Sequence, residues 1–181
     1  YTEGGGPKGT LLPLYRLHLE RLAPLVQPGD VVLDLGCGSG QLLVLMAKCF
    51  PNSHFVGVDL SASMLETAQE LCTAAAVSNV ELVRDDFVSL SRLGQRQFDV
   101  VSSCLAFHHL PDQARLMTTF STIDRVLKPD GRVLISDLGP IQSERTIELL
   151  VDDQRSQQNQ LLLEDYEHSL RAAFAMDDWS R

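Results

Sequence analysis

An α/β domain with a doubly wound parallel sheet is the architecture this chain predicts, on three grounds. Short apolar runs alternate with amphipathic helical stretches from about residue 11 to residue 140. The run Asp34-Leu35-Gly36-Cys37-Gly38-Ser39-Gly40 stands directly behind the apolar Val31-Val32-Leu33, the pattern of a buried strand entering a glycine turn. Carboxylates follow three successive strand-like runs at the same relative place: Asp34, then Asp59, then Asp85-Asp86. Strand–helix alternation demands right-handed crossovers and puts the ligand crevice where the strand order reverses.

The elements follow in order. After a polar, glycine-rich leader over residues 1–10, Leu11, Leu14, Leu22 and Leu25 recur at helical spacing with His18 on the same stripe. A first helix is expected, ending near Pro24 or Pro28. Val31 to Leu35 forms the first strand, and Gln41 to Cys49 a helix stopped by Pro51. His54 to Val58 is the second strand. Ser63 and Glu66 have capping-box spacing and predict the start of the next helix, whose apolar side carries Met64, Leu65, Ala68, Leu71, Cys72 and Ala75. Val80 to Val83 and Phe98 to Ser103 supply the third and fourth strands. Leu116, Phe120, Ile123 and Leu127 make the stripe of a further helix, after which Lys128-Pro129-Asp130-Gly131 is expected to turn the chain into a fifth strand, Arg132 to Ser136. The tail over residues 141–181 is rich in Gln, Glu and Leu without a strand-like run, so two helices are expected there, folded over the crevice as a lid.

Size and composition narrow the function. A chain of 181 residues with 44% hydrophobic content buries one ordinary core and is too short for two. A formal net charge of −9 argues against a nucleic-acid partner, which needs a basic surface for the phosphates. No apolar stretch reaches bilayer length and the leader is unlike a signal peptide, so a cytoplasmic protein without a membrane span is expected. Cys37, Cys49, Cys72 and Cys104 form no C-x-x-C pair, which leaves buried free thiols and no metal site as the expectation. The chain does not begin with Met and is expected to be a processed or trimmed form of its gene product.

Each acidic residue alone fits a helix cap or a turn. Their coincidence at three strand ends is what carries meaning, because those ends share one edge of a parallel sheet. Asp59 is placed to accept from two hydroxyls of a ribose. Asp86 offers an acceptor for an exocyclic amine, with the backbone N–H of Phe87 for a ring nitrogen; together these describe an adenosine. His108 and His109, just past the fourth strand, are the imidazoles near such a crevice and the candidate bases. His18, His54 and His168 read as structural.

From roughly Leu12 to Asp137 the chain resembles the class I S-adenosylmethionine-dependent methyltransferases, Rossmann-like enzymes, and among them the small-molecule branch that includes ubiquinone and menaquinone biosynthesis enzymes. Five pieces carry the resemblance in order: residues 32–40 (VLDLGCGSG), 56–61 (VGVDLS) with Met64-Leu65, 83–87 (VRDDF), 98–110 (FDVVSSCLAFHHL) and 126–137 (VLKPDGRVLISD). The resemblance implies that Asp34, Gly36, Cys37 and Gly38 face the methionine part of S-adenosyl-L-methionine. It sets Asp59 and Leu60 against the ribose and adenine, Met64 on the adenine flank, and Asp85, Asp86 and Phe87 at its edge. Ser103 and Cys104 would border the point of methyl delivery, Cys104 standing where the family usually carries Asn or a similar polar residue. The implied activity is methyl transfer to a small-molecule acceptor by in-line displacement.

Two rivals remain beside it: a non-catalytic scaffold that binds the same cofactor, and an NAD-dependent oxidoreductase. The latter wants G-x-G-x-x-G, whereas the third glycine here comes one residue early, at Gly40. The family's C-terminal antiparallel strands have no candidate in this chain, and His168 to Trp179 looks like the entry to the family's last large helix. The fifth strand is therefore expected at a sheet edge, covered by a helix or by a second copy in a homodimer.

Overall fold

The computed structural model describes residues 12–155 and 160–179. Its strands β1 (Val31–Leu35), β2 (His54–Asp59), β3 (Val80–Arg84), β4 (Phe98–Cys104) and β5 (Leu127–Ser136) form one sheet in the order β3-β2-β1-β4-β5. Every neighbouring pair is parallel. The order reverses between β1 and β4, so a crevice opens at their carboxyl ends. No antiparallel strand follows β5 among the described residues, and β5 has β4 alone as a hydrogen-bonded strand. The leader over residues 1–10 lies outside the described residues.

The helices are α1 (Leu12–Leu22), α2 (Gln41–Cys49), α3 (Ala62–Ala74), α4 (Gln113–Val126), α5 (Glu144–Gln154) and α6 (Gln160–Arg171). Short 3-10 turns cover Phe107–His109 and Met176–Trp179. The sheet is buried on both faces, which is why β1 reads as a continuous apolar run. Val32 packs with Leu22 of α1 and with Leu42, Leu43 and Met46 of α2. Its neighbours Leu33 and Leu35 point the other way, toward Phe107 and toward Leu116 and Ile123 of α4. Each such side chain, withdrawn from water, contributes about 1.5–3 kcal/mol.

Three local expectations need correction. The cap of α3 is Ser61, whose hydroxyl accepts from the Met64 N–H at 3.3 Å; Ser63 lies inside the helix. Asp59 explains the shift, because its carboxylate takes the Ser61 N–H at 2.9 Å and holds that residue extended. Leu127 leaves the helical stripe and pairs with Phe98, while the next paired residues are Val100 and Arg132. Residues 128–131 are thus an irregularity within β5 rather than a turn before it. Lys128 holds it there, its Nζ 2.8 Å from both oxygens of Asp99, which also accepts from the Val31 N–H. Lastly, α6 stops at Arg171 and the chain leaves the helix before the 3-10 turn, so no long final helix starts at His168.

The tail gathers around its own apolar cluster of Ile147, Val151, Leu163 and Leu170. Arg171 ties its two helices together, 2.7 Å from Glu144 and 2.9 Å from Glu167. Phe174 packs against the main core.

Candidate functional site

The loop after β1 is held by β2. The N–H groups of Gly36 and Cys37 both donate to the Val58 carbonyl, at 2.8 and 3.0 Å, and Gly38 donates to Asp59 Oδ2 at 2.8 Å. Asp59 therefore clamps two loops, taking Gly38 with one oxygen and Ser61 with the other. An ionised carboxylate has about four lone-pair sites, which leaves two open. Gly38 has φ +52°, and a Cβ there would meet nothing within 4 Å, so its open side is space a ligand can occupy.

Gly36 is constrained more tightly. Its φ is +70°, and a Cβ would run into the Cβ of Ala106, beyond β4. Left-handed backbone costs a side chain about 1–2 kcal/mol, and overpacking about 1–3 more. Gly36→Ala is expected to destabilise the fold by about 2–5 kcal/mol on those two counts, read as a lower urea midpoint at unchanged slope. Adding Ala106→Gly should recover the steric part alone.

The sequence-predicted residues divide by what their side chains touch. Asp34 is 2% exposed and lies beside Ser102, its register partner on β4. Burial pushes its pKa up to about 7, the Ser102 hydroxyl opposes that rise, and the charge of Asp59 adds to it. Asp85 is bound internally: it accepts from the N–H groups of Asp86 and Arg92, at 2.8 and 2.7 Å, and from Ser91 Oγ at 3.1 Å. Its backbone N–H reaches the Asp59 carbonyl and sets the third loop beside the second. Asp86 is half-buried and accepts from the Val88 N–H, while Phe87 stacks on Phe107 with ring centroids 5.7 Å apart. Leu60 is 64% exposed and Met64 half-buried, an apolar flank at the edge of the crevice. Ser103 Oγ donates to the Leu35 carbonyl at 2.9 Å and pins β4 to β1. The thiols of Cys37 and Cys104 pack on the apolar layer under α1 and α2. Burial, with Asp34 nearby, pushes both pKa values up, that of Cys104 to about 12, so neither is a nucleophile near neutral pH.

Two histidines stand past β4, with ring centroids 4.1 Å apart. His108 Nδ1 lies 2.6 Å from Asp137 Oδ1, and Asp137 also accepts from the N–H groups of Ala106, Phe107 and Leu138. Burial opposes ionisation of Asp137, but the imidazole and the backbone donors hold its carboxyl below the usual range. An ionised carboxylate only accepts, so Nδ1 carries a proton, and in the neutral ring the lone pair is on Nε2. Nε2 has no hydrogen-bond partner among the described residues. His109 is shifted down, first by burial and then by His108, against the charges of Asp165, Asp137 and Asp59. Those three carboxylates place it between the loop edge and α6. Between the two histidines and α6 lies a cavity of about 370 Å³, lined also by Leu110, Asp165, His168 and Phe174.

Asp137 was not singled out as a site residue in the sequence although it directly follows β5, on the same sheet edge as the other carboxylates; that position was the available signal. Asp165 and His168 carried none, because only the packing of the tail brings them to the cavity. No group of three or more His, Cys, Asp or Glu suited to a metal ion comes together among the described residues, and none of their helices is long and apolar enough to cross a membrane.

Known proteins align with this arrangement. Malonyl-(acyl-carrier protein) O-methyltransferase of Priestia megaterium is 36% identical over 108 residues, covering 60% of this chain and 36% of that protein. Demethylmenaquinone methyltransferase of Listeria monocytogenes is 34% identical over 113 residues, covering 62% of this chain and 46% of that protein. The chain thus spans less than half the length of these curated relatives. Among solved structures, phosphoethanolamine N-methyltransferase 2 of Haemonchus contortus, in complex with S-adenosyl-L-methionine, superposes with a TM-score of 0.62 at 28% identity, over 86% of this chain and 36% of that one. A family model described as a methyltransferase domain matches residues 27–175. Matched over most of its length, the chain belongs to the methyltransferase-domain family, with the class I S-adenosylmethionine-dependent fold.

Proposed function

We propose that this domain binds S-adenosylmethionine on the loops after β1, β2 and β3 and methylates a small protic acceptor held in the cavity between the 107–109 turn and α6. The observation that carries the reading is the Asp59 clamp. One carboxylate joins two loops and keeps two lone-pair sites in reserve, beside a glycine face open to a ligand. The two open sites suit a pair of adjacent ribose hydroxyls. Leu60, Met64 and Phe87 offer apolar surface for the base, and Asp86 an acceptor for its amine. Asp34 offers a buried carboxylate to the ammonium of the methionine part.

S-adenosylmethionine, when bound, supplies a sulfonium methyl that a nucleophile displaces in line. This chain's own residues align the acceptor, exclude water and hold a proton. His108 is the base: Asp137 fixes its tautomer and leaves Nε2 free for the acceptor's proton. His109, neutral at physiological pH, lines the same space, and α6 closes the far side as a lid. The cavity lies within the usual 300–1,000 Å³ of small-molecule sites, approximately one modest acceptor.

Isothermal titration tests the reading. S-adenosylmethionine and S-adenosylhomocysteine are expected to bind at one site each, and NAD to give no heat. Binding of NAD without any signal from the sulfonium cofactor overturns it in favour of an oxidoreductase. Mass spectrometry of small molecules that co-purify with the protein identifies the acceptor.

A further inference from the structure

Helix α6 presents two faces, and one of them holds it in place. Leu163, Tyr166 and Leu170 fall at i, i+3 and i+7 and pack with Ile147 and Val151 of α5. On another side Asp165, His168, Ser169 and, just past the helix end, Ala172 repeat that spacing and line the cavity of about 370 Å³ opposite the 107–109 turn. A stripe at i, i+3, i+4 and i+7 ordinarily carries apolar residues bound for a core. Here it carries an acid, an imidazole and a hydroxyl, and it borders open space. Leu110, Pro111 and Phe174 supply apolar wall for the body of a small organic molecule.

The charge around that space is one-sided. Among the described residues no Lys or Arg lines it. Of the three carboxylates on α6, two are satisfied along the helix: Glu164 accepts from Gln160 Nε2 at 2.8 Å, and Glu167 from Arg171 at 2.9 Å. Asp165, the one that lines the cavity, has no hydrogen-bond or ion-pair partner among the described residues. His109 does not supply the missing cation, because burial and the neighbouring His108 keep its ring neutral against the pull of Asp165, Asp137 and Asp59. An acid entering here would set its charge beside an unpaired carboxylate, with no guanidinium or ammonium to offset its desolvation. An entering ammonium would find the acceptor of a charge-assisted hydrogen bond already in place.

We infer that the acceptor taken by this cavity is a small cationic molecule, its protic group at His108 and an ammonium held by Asp165 of α6, and that carboxylate- and phosphate-bearing acceptors are turned away. The inference rests on the reading that this cavity receives the methyl acceptor, and it adds the charge class of that acceptor. Asp165 is then a specificity-determining residue, and α6 reads the substrate as well as covering it. Two anchors on facing walls fix the orientation of a small molecule with few contacts, which is what an in-line displacement needs.

Three phenols of one size read the preference in protein saturated with S-adenosylhomocysteine: tyramine, tyrosol and phloretate end the same ethylene tail in an ammonium, a hydroxyl and a carboxylate. Calorimetry is expected to rank tyramine first, about tenfold tighter than tyrosol, a factor between that of an exposed ion pair and that of a desolvated charged hydrogen bond. Phloretate should bind more weakly than either. Tyramine should also shift the imidazole signals of His109 and His168, which places it in the cavity. Asp165→Asn is expected to bring tyramine within about twofold of tyrosol while tyrosol itself is unchanged. Asp165→Lys should put phloretate first. Asp165 is exposed and braces nothing among the described residues, so both variants should melt where the wild type does. Equal affinity for tyramine and phloretate, a preference that survives Asp165→Asn, binding that leaves both imidazoles unmoved, or no binding by any of the three overturns the inference while the cofactor reading stands. If S-adenosylhomocysteine itself does not bind, the cofactor reading has failed and the acceptor inference falls with it.

Discussion

Replacing Asp59 by alanine is expected to lower affinity for S-adenosylmethionine by about a hundredfold or more. Hydrogen bonds to a charged group contribute about 1.5–3 kcal/mol each, and the proposed ribose contact uses two. Water in the vacated space restores part of that, leaving about 3 kcal/mol, or somewhat over two powers of ten. The substitution also frees the N–H groups of Gly38 and Ser61, which now hold the first two loops to one carboxylate. The loss should therefore show both in titration calorimetry and as a lower melting temperature. Asp59→Asn separates the two effects: its amide oxygen can keep one loop, while the charge and one acceptor are gone, so affinity should fall less, by about tenfold. Unchanged affinity in Asp59→Ala would remove the ribose assignment, whatever the variant did to stability. Reduced affinity in a protein that methylates none of its co-purified molecules would favour the scaffold reading.

The crevice was legible in the sequence because its parts are local. Val31–Leu35 and Gln41–Cys49 have the bounds expected from an apolar run, a glycine turn and a following proline. Three carboxylates at three strand ends needed only the rule that parallel strands share an edge. What stayed hidden depends on partners distant in the chain. Ser61 and Ser63 are equally good caps by composition, and the bond from Ser61 N–H to Asp59 decides between them. Leu127 fits the helical stripe of α4, yet pairing with Phe98 outweighs local periodicity. His18 sits on an apolar stripe and reads as a core residue; the partners of its two ring nitrogens are hydroxyls 84 and 118 positions away. Asp137 has the same character, since nothing near it in sequence announces His108.

The pair formed by those last two residues should give the largest effect on turnover. Asp137→Asn is nearly isosteric, but it has one acceptor oxygen where the carboxylate has two. Two backbone N–H groups, from Ala106 and Phe107, converge on Oδ2 of that side chain, while Oδ1 takes the Leu138 N–H and faces His108. The amide oxygen is expected to keep the Ala106 and Phe107 pair at the cost of the single Leu138 bond, which turns the NH₂ toward His108 Nδ1. A donor facing Nδ1 forces it to accept, so the imidazole proton moves to Nε2 and removes the lone pair the acceptor needs. The rate of methylation should fall by about 10²–10⁴, the usual worth of a positioned base, while S-adenosylmethionine binds within about twofold of wild type. His108→Ala should lose a similar factor, and the double variant little more, because the two residues act as one unit. Multiplying losses would mean that they act separately and would sink the dyad. The tautomer itself needs no acceptor to be seen: nitrogen-15 spectra should show His108 as Nδ1–H in the wild type and Nε2–H in Asp137→Asn. Retention of Nδ1–H in that variant would leave Asp137 a brace for the 106–107 backbone and would move the search for a base to His109, whose ring borders the same cavity.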